Sequence, residues 1–195
     1  MAYSYTNRQD KTHYIKAVTT KKGGVRYYIT LDPTVENLIS EIPEGFEVLE
    51  YPYDARVVIR KKIPVNVRPA EVSTVQKAME KHSPVQDFII TSEREDIAIH
   101  ISQFNHFYDS EYLSADEAKK YYGENVHLWK TYDWILTFRL ADVDTRKFQV
   151  IRKASVQYEA VGIDEGTDLS SLAEKYCYHV GRESLLNFWI PGEDW

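Results

Sequence analysis

The sequence is organised as pairs of short β-type runs, and the two runs of each pair are separated by turn residues. The first pair is rich in β-branched and aromatic residues and encloses Lys-Lys-Gly-Gly at 21–24, a combination that is typical of a β-hairpin. Because hairpins pair antiparallel, the pattern favours antiparallel sheet over a doubly wound parallel sheet. The predicted pairs are 13–20 with 25–31, 46–51 with 56–63, and 86–92 with 97–104.

Helical signals follow each predicted hairpin. The clearest is the apolar stripe between Leu169 and Val180, where apolar residues recur at helical spacing before Gly181. Ser114 and Glu117 have the spacing of a capping box, and Gly123 is a suitable stop for that helix. The predicted helices are 33–41, 69–82, 114–122, 169–180 and 183–189, and a strand meander is predicted at 133–141, 147–154 and 155–161.

These elements predict an α+β fold in which successive β-hairpins form mainly antiparallel sheet, each followed by a helix, in one or two lobes. Residues 1–11 are expected to be a flexible tail. Residues 12–104 are then an N-terminal hairpin–helix lobe, 105–113 a connector, and 114–195 a C-terminal lobe with the meander and the last helices. A single continuous domain is the alternative to this division.

Composition limits the classes that this chain can belong to. The 195 residues are 43% hydrophobic, enough for a sizeable core without disulfides. Cys177 is the single cysteine, so no internal disulfide forms and a reducing, cytoplasmic location is expected. No apolar run reaches about 18 residues, and residues 1–11 lack the apolar segment of a secretory signal. We therefore expect a cytoplasmic protein without a membrane span.

The 15 tyrosines are the most unusual compositional feature. Most fall in predicted strands and helices, where packing explains them. Tyrosine also supplies large contact area at low entropic cost, and the sequence contains no common catalytic motif, so the leading hypothesis is a non-enzymatic protein-interaction or adaptor module with a protein partner. The candidate contact tyrosines, which lie in loops or opposite the apolar stripe, are Tyr51, Tyr53, Tyr108, Tyr112 and Tyr178.

A locally basic segment provides a second kind of candidate surface. The net charge of −6 argues against a dedicated binder of phosphate backbones, but residues 56–81 carry an excess of cations next to Tyr51 and Tyr53. Cations beside aromatic residues are typical of single-stranded nucleic-acid sites. An edge strand protected by charge and a surface for an acidic protein are the alternatives. The candidate cations are Arg56, Arg60, Lys62 and Arg68.

A third hypothesis is an enzyme, hydrolase-like, with a dispersed acid–base site. If 97–104 is one strand, His100 and His106 lie about 20 Å apart, too far for one metal ion. His100 also alternates with Ile99 and Ile101, so it is expected to face away from the apolar side. No metal and no cofactor is predicted. The acid–base candidates are His100, His106, Asp109 and Glu111.

Cys177 and His179 do not form a nucleophile–base pair if 169–180 is a helix. At about 100° per residue, the two side chains point about 160° apart around the axis. Cys177 lies on the apolar stripe and is predicted to pack in the core, whereas His179, near the helix C-terminus, is predicted to interact with the helix dipole or with the last carbonyls.

Two stretches resemble other proteins. The first runs from EGFEVLEY at 44–51 through RVVIRKKIP at 56–64, the second is SLAEKYCYHVGRES at 171–184, and together they cover about a fifth of the chain. They resemble a group of small bacterial proteins with no assigned activity. The resemblance implies no catalytic residues and no cofactor.

Overall fold

The computed structural model describes residues 1–105, 114–153 and 160–188. It is an α+β fold with antiparallel sheets and three α-helices, which confirms the predicted class. The chain divides into two compact units. Unit 1 comprises residues 1–62 and 121–131, and unit 2 comprises residues 63–120 and 132–195.

Unit 1 contains two of the predicted hairpins. A three-stranded antiparallel sheet is formed by β1 (Ser4–Thr6), β2 (Thr12–Thr19) and β3 (Val25–Thr30) in the order β1-β2-β3. A separate antiparallel pair is formed by β4 (Phe46–Glu50) and β5 (Val57–Lys61). Both hairpins are therefore confirmed, with ends that differ from the prediction by one or two residues.

The prediction of a flexible tail at 1–11 is wrong for β1, which lies inside that segment. The Tyr5 hydroxyl donates to Glu50 Oε2 at 2.8 Å. Burial and this contact with Glu50 raise the pKa of Tyr5 to about 12. Buried Asn7 donates through Nδ2 to the Ala55 carbonyl at 2.9 Å. These long-range bonds order the segment, and polar composition alone does not reveal them.

The predicted helix at 33–41 is also wrong. Asp32 Oδ1 accepts from the Thr34 backbone N–H at 2.8 Å, which makes a turn, and Asn37 has a φ of 64°. The Ala17 N–H then donates to the Asn37 carbonyl at 2.9 Å, and the Ile39 N–H donates to the Ile15 carbonyl at 3.0 Å. The segment therefore completes the edge of β2, and this tertiary pairing outweighs the helical spacing of its apolar residues.

Unit 2 is built around a five-stranded antiparallel meander with the order β10-β9-β8-β7-β6. Its strands are β6 (Phe88–Glu93), β7 (Asp96–Ser102), β8 (Tyr132–Asp142), β9 (Lys147–Lys153) and β10 (Ala160–Gly166). The last strand was predicted at 155–161 and lies further along the chain, and residues 154–159 fall outside the described part.

The helices are α1 (Pro69–His82), α2 (Ala115–Tyr122) and α3 (Leu169–Cys177), and short 3₁₀ segments cover Gly123–Trp129 and Glu183–Asn187. The predicted capping box is confirmed, since the Ser114 N–H donates to Glu117 Oε2 at 2.9 Å. The start of α3 is capped by Asp168, whose Oδ1 accepts from the Ser171 N–H at 3.2 Å. In the described part of the chain, no helix combines the length and apolarity needed to cross a membrane.

One face of the meander forms the core of unit 2 with α1 and α3. Ile97, Ile99 and Ile101 alternate along β7 and are fully buried in this cluster. Cys177 belongs to the same cluster, and burial raises the pKa of its thiol to about 12. The prediction that Cys177 packs in the core is therefore confirmed. Its pKa is raised because an apolar environment disfavours the thiolate.

The division between the two units differs from the predicted lobes. It falls after residue 62, and residues 121–131 join unit 1 although they follow the expected connector in sequence. Within unit 1, His127 Nε2 lies 2.6 Å from Asp10 Oδ2. Residues 106–113, most of the predicted connector at 105–113, lie outside the described residues.

Replacing Ser83 tests the contact between the end of α1 and the turn after α3. Its buried hydroxyl donates to the Val180 carbonyl at 2.9 Å and accepts from the Val85 N–H at 3.1 Å. We expect Ser83→Ala to lower the free energy of unfolding by about 1–3 kcal/mol, because it leaves buried backbone groups unpaired. Ser73→Ala, at an exposed position of α1, is the matched control and should change it by less than about 0.5 kcal/mol. Urea denaturation measures both, and equal effects would contradict this role.

The packing of α3 on β10 predicts a dependence of stability on pH. Asp164 Oδ2 accepts from Lys175 Nζ at 2.8 Å and from the Tyr176 hydroxyl at 2.7 Å. These hydrogen bonds, that from Lys175 first, lower the pKa of Asp164. A carboxyl with a lower pKa in the folded state stabilises the fold above its unfolded pKa, and this stabilisation is lost as pH falls through the folded pKa.

We therefore expect Asp164→Asn to destabilise the protein near pH 7, and we expect the difference from wild type to shrink below about pH 4. Urea denaturation at pH 7 and pH 3 measures the two differences. A difference of the same size at both pH values would show that the Asp164 carboxylate does not contribute in this way.

Candidate functional site

The face of the meander that points away from α1 and α3 is built from three rows of side chains that cross the strands. Residues that pair across antiparallel strands project from the same face, so the register of the sheet determines each row. The rows differ in chemistry. One contains small and apolar side chains, the second is charged, and the third contains an imidazole and an indole.

The middle row, called the small-residue row, provides the floor. Ala98 pairs with Thr91 on one side and with Thr137 on the other, and Thr137 pairs with Ile151. Ile151 in turn pairs with Gly162 on the edge strand β10. Because Ala98 and the threonines are short, this row is lower than the rows beside it.

The charged row lies two residues from the small-residue row on β6 to β9 and three residues from it on β10, where the pairing has a bulge. Its members, in order across the sheet, are Glu93, Asp96, Arg139, Gln149 and Glu165. Arg139 binds Asp96 through two hydrogen bonds, Nε to Oδ1 at 2.7 Å and Nη2 to Oδ2 at 3.0 Å. The bond to Asp96 raises the pKa of Arg139. This geometry holds the guanidinium plane at the rim of the floor.

The aromatic row, on the other side of the floor, is Ile89, His100 and Trp134. His100 Nε2 lies 2.9 Å from Thr91 Oγ1, and the Trp134 indole N–H donates to Thr137 Oγ1. Both rings are therefore positioned by threonines of the floor. A bulge between Ile99 and His100 in the pairing of β7 with β8 sets the position of Trp134 opposite His100.

Members of all three rows line the sheet groove, a concavity of about 310 Å³ that extends from Thr91 on β6 to Ala160 on β10. Its walls are four residues apart along a strand, about 13 Å between Cα positions. Crossing five strands takes about 19 Å, which is the length of about six residues of extended chain. The groove therefore has the dimensions of an extended peptide, with a charged wall and an aromatic wall.

Of the acid–base candidates, His100 is placed in the groove, and the prediction that it faces away from the apolar side is confirmed. His106, Asp109 and Glu111 lie outside the described residues, so their proposed convergence with His100 stays a prediction. Among residues 1–105, 114–153 and 160–188, no three His, Cys, Asp or Glu side chains lie close enough together to hold a metal ion.

The candidate cations at 56–68 do not form one strand face. The strand β5 begins after Arg56 and ends before Lys62. Arg60 Nε lies 2.8 Å from Glu47 Oε1, and the Arg56 guanidinium lies 4.8 Å from the Tyr51 ring centroid. Arg68 belongs to the other unit, where its backbone N–H donates to Glu71 Oε2 at 2.6 Å before α1. These contacts weaken the case for a shared anion-binding surface at this segment.

The candidate tyrosines occupy different environments. Tyr53 is 59% exposed, and Tyr178 is 48% exposed with the Arg182 guanidinium 3.9 Å from its ring centroid. Tyr51 is half-buried beneath Arg56. Tyr108 and Tyr112 lie outside the described residues. The tyrosines that the structure describes therefore do not define one common surface.

α3 ends at Cys177 with Tyr178 as its C-cap, so His179 lies near the helix C-terminus as predicted. Its Nδ1 lies 2.7 Å from Ser184 Oγ, and burial, followed by Arg182 and Lys175, lowers its pKa. The prediction that it does not form a pair with Cys177 agrees with this separate partner.

A second concavity, of about 380 Å³, lies in unit 1 and is lined by Asn7, His13 and Arg56 among others. The polar groups here have structural partners. Asn7 Oδ1 accepts from the Lys11 N–H at 2.9 Å, and His13 Nδ1 lies 2.8 Å from the Lys11 carbonyl. We therefore regard the sheet groove, with its ordered rows, as the stronger candidate site.

The comparisons with known proteins found no matching family model, no matching curated protein and no matching solved structure. The function is therefore inferred from the geometry of the chain itself, and the resemblance to a bacterial group stays a prediction.

Proposed function

We propose that the chain is a non-enzymatic binding module that recognises an extended peptide segment of a partner protein in the sheet groove. The observation that carries the proposal is the arrangement of three chemically distinct rows across the sheet face that points away from α1 and α3. The second face of an antiparallel sheet is ordinarily polar when helices cover the first. Here its centre holds Ala98, Ile151 and Trp134 instead, with Ala98 and Trp134 half-buried and Ile151 6% exposed.

The chemistry of the walls defines the segment that fits. Trp134 and Ile89 offer apolar surface, and tryptophan is enriched among the residues that dominate binding energy at interfaces. The opposite wall has two carboxylates, Glu93 and Asp96, and one cation, Arg139, so its net charge is negative. An apolar side chain towards the aromatic row and a lysine or arginine towards the charged row therefore complement the groove.

Filling the floor tests this proposal. Ala98→Trp places an indole where the groove is lowest, without changing the buried face of β7. We expect hexapeptides that are selected on the wild-type protein from a displayed random library to bind the variant at least about tenfold more weakly, since a blocked floor excludes the ligand side chain. Fluorescence anisotropy with the synthetic selected peptides measures the affinities.

Ala70→Trp, at an exposed position of α1, is the matched control and should bind the same peptides as the wild type does. Selection of no peptide, or equal affinity for the Ala98→Trp variant and the wild type, would overturn the proposal. Circular dichroism of both variants establishes that each is folded before binding is compared.

A further inference from the structure

One face of the three-stranded sheet of unit 1 is basic. It lies in a part of the chain that contains none of the candidate site residues from the sequence analysis. Residues 11–31 contain five Lys or Arg residues and no Asp or Glu, although the whole chain has a net charge of −6. The strands β1, β2 and β3 likewise contain no acidic residue. Positive charge is therefore concentrated on this sheet.

The register places cations and tyrosines on the same face. Lys16 pairs with Tyr28, Val18 pairs with Arg26, and Tyr14 lies two residues before Lys16 on the same strand. We call the face formed by these residues the basic sheet face. Lys21 and Lys22, both exposed, extend the positive charge into the turn between β2 and β3.

The opposite face of the same sheet packs against other residues of unit 1. Ile15 is 1% exposed, and the Tyr27 ring contacts Phe46 edge to face at 5.0 Å between centroids. Since neighbouring residues of a strand point to opposite faces, this packing turns Lys16, Arg26 and Tyr28 outwards. Tyr28 is 42% exposed and Arg26 is exposed.

Within the part of the chain that the structure describes, the cations of this face have no acidic partner. The described hydrogen bonds and ion pairs give acidic partners to Arg60 and Arg139, but none to Lys16, Lys21, Lys22 or Arg26. An acidic chain that keeps four such cations unneutralised on one sheet maintains a local positive potential, which attracts anions.

We infer that the basic sheet face binds single-stranded nucleic acid. Phosphates would contact Lys16, Arg26 and the turn lysines, and a base would stack on Tyr28, which pairs with Lys16 and lies two residues after Arg26. Aromatic rings interleaved with cations on an exposed sheet suit this polymer, because every base has a face that can stack and every linkage has a negative charge. An acidic protein would use the cations but would not need the tyrosine ring.

The inference is independent of the proposed peptide groove, since it concerns unit 1 alone. Labelled single-stranded oligonucleotides of 12 nucleotides, one RNA and one DNA, are titrated with the full chain at several salt concentrations, and anisotropy is measured. We expect binding at low salt whose log–log dependence on salt has a slope of roughly −3 for four phosphate contacts. The comparison of RNA with DNA distinguishes the two polymers.

Lys16→Glu with Arg26→Glu should weaken this binding by at least about tenfold, because phosphate contacts are replaced by repulsion. Lys119→Glu with Lys120→Glu makes the same change of net charge at exposed positions of α2, in unit 2, and should weaken it much less. Tyr28→Thr keeps a strand-forming residue and should weaken it by about tenfold through lost stacking. If the charge reversal impairs folding, the double variant Lys16→Gln with Arg26→Gln, which only removes the two charges, replaces it in the same measurement.

Absence of binding at low salt would overturn the inference. So would equal weakening by the two charge-reversal pairs, which would indicate a non-specific effect of net charge. Poly-L-glutamate is titrated as a competitor, and displacement as efficient as that by unlabelled oligonucleotide, with no effect of Tyr28→Thr, would indicate an acidic protein as partner.

Discussion

The alternation of side chains along β7 is the constraint on which the structure of unit 2 depends. Ile97, Ile99 and Ile101 are buried against α1 and α3, and the residues between them face the other way. A shift of one residue would carry Asp96 and His100 into the core, so the register of the whole meander is strongly determined. The sheet groove on the open face is a direct consequence of that register.

The same principle organises unit 1, which also buries one sheet face and presents the other. Ile15 and Tyr27 are engaged in packing, and the positions between them display the basic sheet face. The two proposed binding surfaces therefore have different chemistry and belong to different units. A chain that joins a peptide-binding face to a nucleic-acid-binding face would act as an adaptor, which is the functional class that the sequence suggested first.

Local signals in the sequence were sufficient for the hairpins and for α1 and α3, because turn residues, caps and periodic apolar residues act over a few positions. The helix expected at 33–41 failed because pairing with β2 is a long-range contact. The groove could not be predicted for the same reason, because it also depends on long-range contacts. Its rows bring together residues from Thr91 to Gly162 through the register of the strands. The absence of Asp and Glu from residues 11–31 is visible in the sequence, but the sequence analysis did not use it to predict a basic surface.

Thiol labelling of an introduced cysteine tests directly whether the groove face is open. Cys177 is the single cysteine and is fully buried with a raised pKa, so it provides an unreactive background. In the native protein, we expect Ala98→Cys, at a partly exposed position, to react at a measurable rate, and Ile97→Cys, on the opposite and fully buried face, to stay protected. Protection of the cysteine at position 98 as strong as that at position 97 would contradict the account.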